Sequence, residues 1–335
     1  MADAQGNFEI ESLSSNLLFT VVVAARGFEP MTLKKVDPTQ APLAVRLKPR
    51  GKDQLPANRT VFGRVLDARK RPVAGAEVSI NGVTVGDSTR YGGQPAGTDV
   101  VAISDAAGEF EIYVAKPFDS LGLRIEALGL ARANFAGATP GGVRRDFVLP
   151  VGAALVGRVV RDGKPVKGIN VGVASVDRGV ERFTGEFVVG TGPDGVFVFP
   201  SLPADRDYQF YGVMDSLRGI GAVPARVVHV GREGAKTDVG VISMTSGWRV
   251  AGEVRVANVK TLPVGSRLIL SREGAWDFSV IDLPANGQFD VPNVPGEAMS
   301  LSVGMTGYHA ATSPPKLGRV ASDRTGLVFV MEPGK

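Results

Sequence analysis

The chain of 335 residues contains no cysteine, which excludes disulfide bridges, thiolate nucleophiles and cysteine-ligated zinc. Histidine is nearly absent too. His229 and His309 are the only two, they fall in different parts of the chain, and no spaced carboxylates join them, so no metal or other cofactor is expected. Long apolar runs are missing: the longest, 17–25, is nine residues interrupted by Thr20, far below the roughly 20 needed to cross a bilayer. The chain is therefore not expected to span a membrane in this segment. Residues 1–6 lack the basic and apolar stretches of a signal peptide. An excess of one charge is lacking as well, with 38 Lys and Arg against 34 Asp and Glu. Basic clusters such as Arg69-Lys70-Arg71 have no interleaved aromatics, so a nucleic-acid partner is not expected.

What is abundant is glycine and proline, 43 and 22 residues, in a chain that is 44% hydrophobic and 21% charged. That balance is globular, so the glycines mark turns rather than disorder. Their placement repeats. A turn followed by phenylalanine recurs as Asp3 to Phe8, Asp105 to Phe110, Pro193 to Phe197 and Ala285 to Phe289, with Gly6, Gly108, Gly195 and Gly287 spaced 87 to 102 residues apart. Upstream of three of these turns stands a short strand centred on glycine: Gly63-Arg64-Val65, Gly157-Arg158-Val159 and Gly252-Glu253-Val254. A proline turn and another strand follow, as in Pro72-Val73-Ala74-Gly75 and Pro165-Val166-Lys167-Gly168, while the copy at Pro263 has lost the spacing. Each repeat closes on an alternating strand, 43–47, 145–149, 239–243 and 327–331, and Pro49, Pro150 and Pro333 follow three of them.

No long segment carries a 3.6-residue period with caps, whereas runs of four to eight alternating or apolar residues bounded by Gly, Pro, Asn and Asp are frequent. The pattern predicts an all-β chain of modules about 95 residues long, spaced like β-sandwiches. The turn chemistry is self-explanatory: Asp bonds its own turn backbone, Gly takes positive φ and Phe anchors the next strand in a core. Phe8, Phe110, Phe197 and Phe289 are therefore expected to be buried at equivalent positions.

On these residues, Gly63-Arg64-Val65 with 72–78 and 104–110, repeated at 157–159, 165–168 and 194–197, the chain resembles the carboxypeptidase regulatory-like family. The resemblance implies tandem transthyretin-like, Ig-like Greek-key β-sandwich modules, non-enzymatic, in a secreted, cell-surface or periplasmic protein, often bacterial. The expected division is a partial repeat over 1–50, then modules over 57–150, 151–246 and 247–335. The partial repeat begins at its midpoint, which suggests a boundary inside a longer protein. Its apolar stretch 17–23 is expected to pack on the next repeat or to pair with another chain, a route to self-association.

Chemistry-bearing patterns are few. Gly190 to Gly195 matches G-x-G-x-x-G but leads into a strand, not a helix, so a hairpin turn is expected. No G-x-S-x-G elbow occurs. Glu109 and Glu111 share one strand face and read as solvated. The first complete repeat carries an extra polar loop, 87–97, in which Arg90, Tyr91 and Gln94 form a candidate binding loop. Trp276 is a second candidate, although a tryptophan in a sandwich more often packs in the core. The expected role is a spacer, adhesive or partner-binding segment with a protein or glycan partner. The alternatives are a carbohydrate-binding accessory segment and the sensory ectodomain of a membrane protein.

Overall fold

The computed structural model describes the chain apart from residues 1, 2, 4, 11–17, 41, 52–54, 92–97, 142, 180, 181, 257–260, 312–315 and 335. Among the described residues the architecture is nearly all β, with two 3₁₀ turns and no α-helix. Two compact units emerge. One comprises Met1–Gly152 with Gly179–Thr184 and Ser201–Ala204, and the other Ala153–Arg178, Gly185–Pro200 and Asp205–Lys335.

The first unit contains a sandwich of two sheets. In one, Thr60–Leu66 lies between Arg145–Val148 and Glu109–Tyr113. In the other, Ser120–Glu126 and Glu77–Val85 are central, flanked by Ala133–Ala138, Ser88–Tyr91 and Val101–Ile103. Their inward residues, including Val65, Val78, Phe110, Ile112, Leu123, Ile125 and Phe147, form one core.

The second unit holds two such sandwiches. In the earlier one Ala153–Arg161 pairs with Lys236–Ser243 and Val196–Leu202, opposite a sheet ordered Glu186–Gly190, Asn170–Ser175, Arg206–Gly212, Arg226–Val230. Phe197 stacks on Phe210 across that core at 5.1 Å between centroids. In the later one Trp248–Val256 lies between Gln288–Val294 and Arg324–Pro333, opposite Arg267–Arg272, which lies between Phe278–Asp282 and Ala298–Gly304. Apart from residues 151, 152, 179–184 and 201–204, the expected modules 151–246 and 247–335 thus fall within the second unit, while 57–150 shares its unit with residues 1–50.

One connectivity recurs in all three sandwiches. The first strand pairs in parallel with the last: Gly63 to Leu66 with Arg145 to Val148, Ala154 to Val160 with Lys236 to Ser243, and Val250 to Val256 with Arg324 to Met331. The same first strand pairs antiparallel with the strand after the glycine turn in the outer two copies, as Gly63↔Phe110 and Gly252↔Phe289 show.

This arrangement explains the sequence repeat. Gly108, Gly195 and Gly287 have φ of 75°, 74° and 72°. A Cβ at Gly108 or Gly195 would also lie 2.5 Å from the carbonyl oxygen of Val65 or Val159. The turn glycine is therefore doubly required, by backbone conformation and by close approach. In return its own carbonyl accepts from the first-strand amide, Val65 N to Gly108 O at 2.8 Å, Val159 to Gly195 at 2.9 Å and Val254 to Gly287 at 2.8 Å. The first-strand glycine is needed for a different reason. The Phe110 ring lies where a Cβ on Gly63 would stand, and the Phe197 ring does the same over Gly157.

Asp105 Oδ1 accepts the amides of Ala107 and Glu109 at 3.0 and 2.8 Å, as the turn chemistry predicts. Phe110, Phe197 and Phe289 are buried, but Phe8 is 39% exposed. Its turn forms, with Asp3 Oδ1 accepting from Gln5 and Asn7. The described residues directly after it, 9 and 10, join no ladder, and the described strands of this segment, Phe19–Val23 with Met31–Val36 and Phe28–Glu29 with Lys48–Pro49, are two separate ribbons. Among the described residues no second layer faces these ribbons, and the ring enters no core. Likewise 43–47 is not a strand, and Pro49 pairs with Phe28 instead of following a closing strand. At Gly190 to Gly195 the structure also corrects a detail. The tight turn is present, with Gly195 N donating to Gly192 O at 2.9 Å, yet it carries the chain from one sheet to the other rather than closing a hairpin.

The N-terminal ribbons are held on the first sandwich by arginines. Arg50 makes a bidentate pair with the buried Asp99 at 2.8 and 2.7 Å, and Asp99 also accepts the Tyr113 amide at 2.9 Å. Arg26 pairs with Asp105, Glu109 and Glu111, so the two glutamates expected to be merely solvated are ion-paired.

Candidate functional site

In the second unit the most concentrated chemistry surrounds Arg272, the last residue of its strand. The hairpin it opens closes through Arg272 N donating to Asp277 O at 3.0 Å. From the turn into the strand that follows, Phe278–Asp282, burial alternates: Ala275, Asp277 and Ser279 are buried while Trp276 and Phe278 are exposed.

The Arg272 side chain is fully buried. Its Nε donates to Asp277 at 2.8 Å, Nη1 to Glu297, and Nη2 to the carbonyl oxygens of Gly212 at 2.7 Å and Val223 at 3.4 Å. The guanidinium also lies 5.4 Å from the centroid of the Tyr211 ring, whose hydroxyl donates to Glu186. Asp277 accepts a further bond from the Met214 amide at 3.1 Å. Gly212, Met214 and Val223 belong to the earlier sandwich of the unit, and Arg272, Asp277 and Glu297 to the later one. Met214, on the 3₁₀ turn Met214–Leu217, inserts into the apolar core of the later sandwich. Nearby, Arg218 and Ser279 both bond Asp215, at 2.7 and 2.6 Å.

Two carboxylates share one guanidinium, so with both ionised the cluster would carry one negative charge in excess. Burial raises the carboxyls of both Asp277 and Glu297 above their ordinary range, with Arg272 pulling the other way. Burial likewise raises the Tyr211 phenol. All three nitrogens of the guanidinium donate, to two carboxylates and two backbone carbonyls. What this constellation can do is join two sandwiches.

The residues singled out from sequence stand elsewhere. Arg90 and Tyr91 end the exposed strand Ser88–Tyr91, and the Tyr91 ring, 57% exposed, lies over Gly82. Gln94 lies outside the described residues. Trp276 is 59% exposed, which overturns core packing, because its neighbours Ala275 and Asp277 take the buried positions of the turn. Tyr91 and Trp276 belong to different units. His229 bonds Asp207 at 2.9 Å on the surface. Among the described residues no group of three His, Asp or Glu is placed to hold a metal, and no helix is long and apolar enough to cross a membrane. Sequence reasoning missed Arg272, Asp277 and Glu297. The only local signal is the Arg-x₄-Asp spacing across a hairpin, and nothing in it announces burial.

No protein-family model matches the chain, and no curated protein matches it in sequence. Among solved structures, the Bacillus anthracis TIE protein is similar at 12% identity and a TM-score of 0.24, covering 82% of this chain and 50% of its own. The present chain thus spans half the length of that protein. A Streptococcal ancillary pilin is similar at 12% identity and a TM-score of 0.27, covering 82% of this chain and 99% of its own. BcpA, the major pilin subunit of Bacillus cereus, is similar at 8% identity and a TM-score of 0.21, covering 82% and 99%.

Proposed function

We propose that the chain is a non-enzymatic, tension-bearing spacer of a cell-surface or secreted protein. The observation that carries this reading is the parallel pairing of first and last strands in each sandwich. A chain that enters at the start of one strand and leaves at the end of its parallel neighbour enters and leaves at opposite ends of the sandwich. Tension between those ends shears the two strands, loading their hydrogen bonds together rather than one after another. The Arg272 cluster supports the same role, since it braces the connection between the two sandwiches of the second unit.

The test is single-molecule pulling in two directions. Force applied between the ends of one sandwich should unfold it abruptly and at higher force than force applied between neighbouring strand ends, which unzips the same ladder. Equal forces in both directions would remove the mechanical reading. Hydrolase and esterase screens are expected to be blank, and turnover that survives repurification yet vanishes on a point substitution would contradict the non-enzymatic assignment.

A further inference from the structure

We propose that Trp276 and Phe278 form a binding platform for a neutral, gluco-configured saccharide. Both rings stand in water, 59% and 57% exposed, on a hairpin whose base is fixed. Beneath them, Ala275 packs with Ala174 and Tyr211, and Asp277 is tied to Arg272. The Glu273 amide donates to Ala298 O at 3.1 Å, and Arg178 donates to Gly274 O at 3.2 Å. The Arg178 guanidinium also lies 5.7 Å from the centroid of the indole, orienting that ring. A rigid support that presents two large aromatic rings outward is the arrangement of a preformed site.

The ligand class follows from the surroundings. A β-linked glucopyranose carries its hydroxyls equatorially and its C–H bonds axially, so each ring face is apolar and its edge is polar. Such a face stacks on an aromatic ring while the edge hydroxyls meet polar neighbours, here the exposed Glu273. The platform is two rings wide and bordered by charged residues, which fits one or two sugar rings better than the roughly 800 Å² that a protein partner covers on each side.

This inference is independent of the mechanical reading, which pulling tests separately. The full-length chain carrying Trp248→Phe keeps Trp276 as its single tryptophan, since the sequence has two. Titrating it with β-1,4-linked trisaccharides of glucose and of N-acetylglucosamine should produce a saturable change in tryptophan fluorescence. By calorimetry, Trp276→Ala should weaken binding about tenfold or more, Trp276→Phe should retain part of it, and Tyr91→Ala should leave it unchanged. Failure of both sugars to give a saturable signal would overturn the proposal, as would equal binding by the Trp276→Ala variant. So would concentration-dependent self-association abolished by Trp276→Ala with no response to sugar, which would mark the rings as a protein-binding surface.

Discussion

Phe110 and Phe197 are the residues whose meaning was most legible, because one motif places a turn, a positive-φ glycine and a core ring in fixed order. The structure adds the partner: each ring lies against a glycine of the first strand, so Gly63 and Phe110 are one feature read as two. Phe197→Ala is expected to cost about 3 to 5 kcal/mol, whereas Phe8→Ala, at a ring 39% exposed, should be nearly neutral. Denaturant titration of the two variants compares them directly, and equal losses would contradict the assignment of Phe8 to a segment without a core. The Arg272 cluster was illegible for the opposite reason. Its partners Gly212 and Val223 are 60 and 49 residues away, and two of its acceptors are backbone carbonyls, which leave no trace in side-chain pattern.

That cluster also has a pH dependence whose sign is unlike that of the surface. Asp277 and Glu297 have carboxyls raised by burial, so the folded state binds protons more readily than the unfolded chain. Their contribution is fully present below the ordinary carboxylate range and is lost as pH rises through the raised values. Asp146 and Asp290, held by Arg64 and Arg249, are lowered, and what they contribute is lost as pH falls through the carboxylate range. Mild acidification from neutrality, stopping above that range, should therefore strengthen the second unit. In urea titrations, Glu297→Gln should flatten this gain. A wild-type protein that weakens steadily from neutrality downward would contradict the reading.

At the scale of elements, alternation and turn residues sufficed to find the strands that lie in a sandwich, including 145–148 and the closing strands at 239–243 and 327–331. They did not suffice at 43–47, where the same alternation produces no strand and, among the described residues, no neighbouring strand accepts it. Alternation reports a half-buried surface, and burial is a property of the partner. The hairpin 267–282 shows the same limit from the other side. Trp276 looked like a core residue by type, but the turn that buries Ala275 and Asp277 leaves it exposed. Arg272→Met should destabilise the second unit by about 3 to 5 kcal/mol, since it leaves two buried carboxylates without their counter-charge. Adding Asp277→Asn and Glu297→Gln to the same chain should restore much of that loss. If the triple variant is no more stable than Arg272→Met alone, the arginine acts through packing rather than charge.

For the molecule as a whole, the repeat made the sandwich architecture visible. In the second unit Met214 and the Arg272 cluster tie two sandwiches together, since one contributes to the core of the next. Substitutions at this connection should therefore be felt in both sandwiches of the unit. The most direct measurement of the tension-bearing reading is the length released when the whole chain is pulled from its two ends. Strands sheared together hold until they fail together, so each sandwich of about 90 residues should yield in one step, lengthening the chain by about 300 Å at up to ~3.6 Å per residue. Release in many small increments, strand by strand at low force, would contradict it.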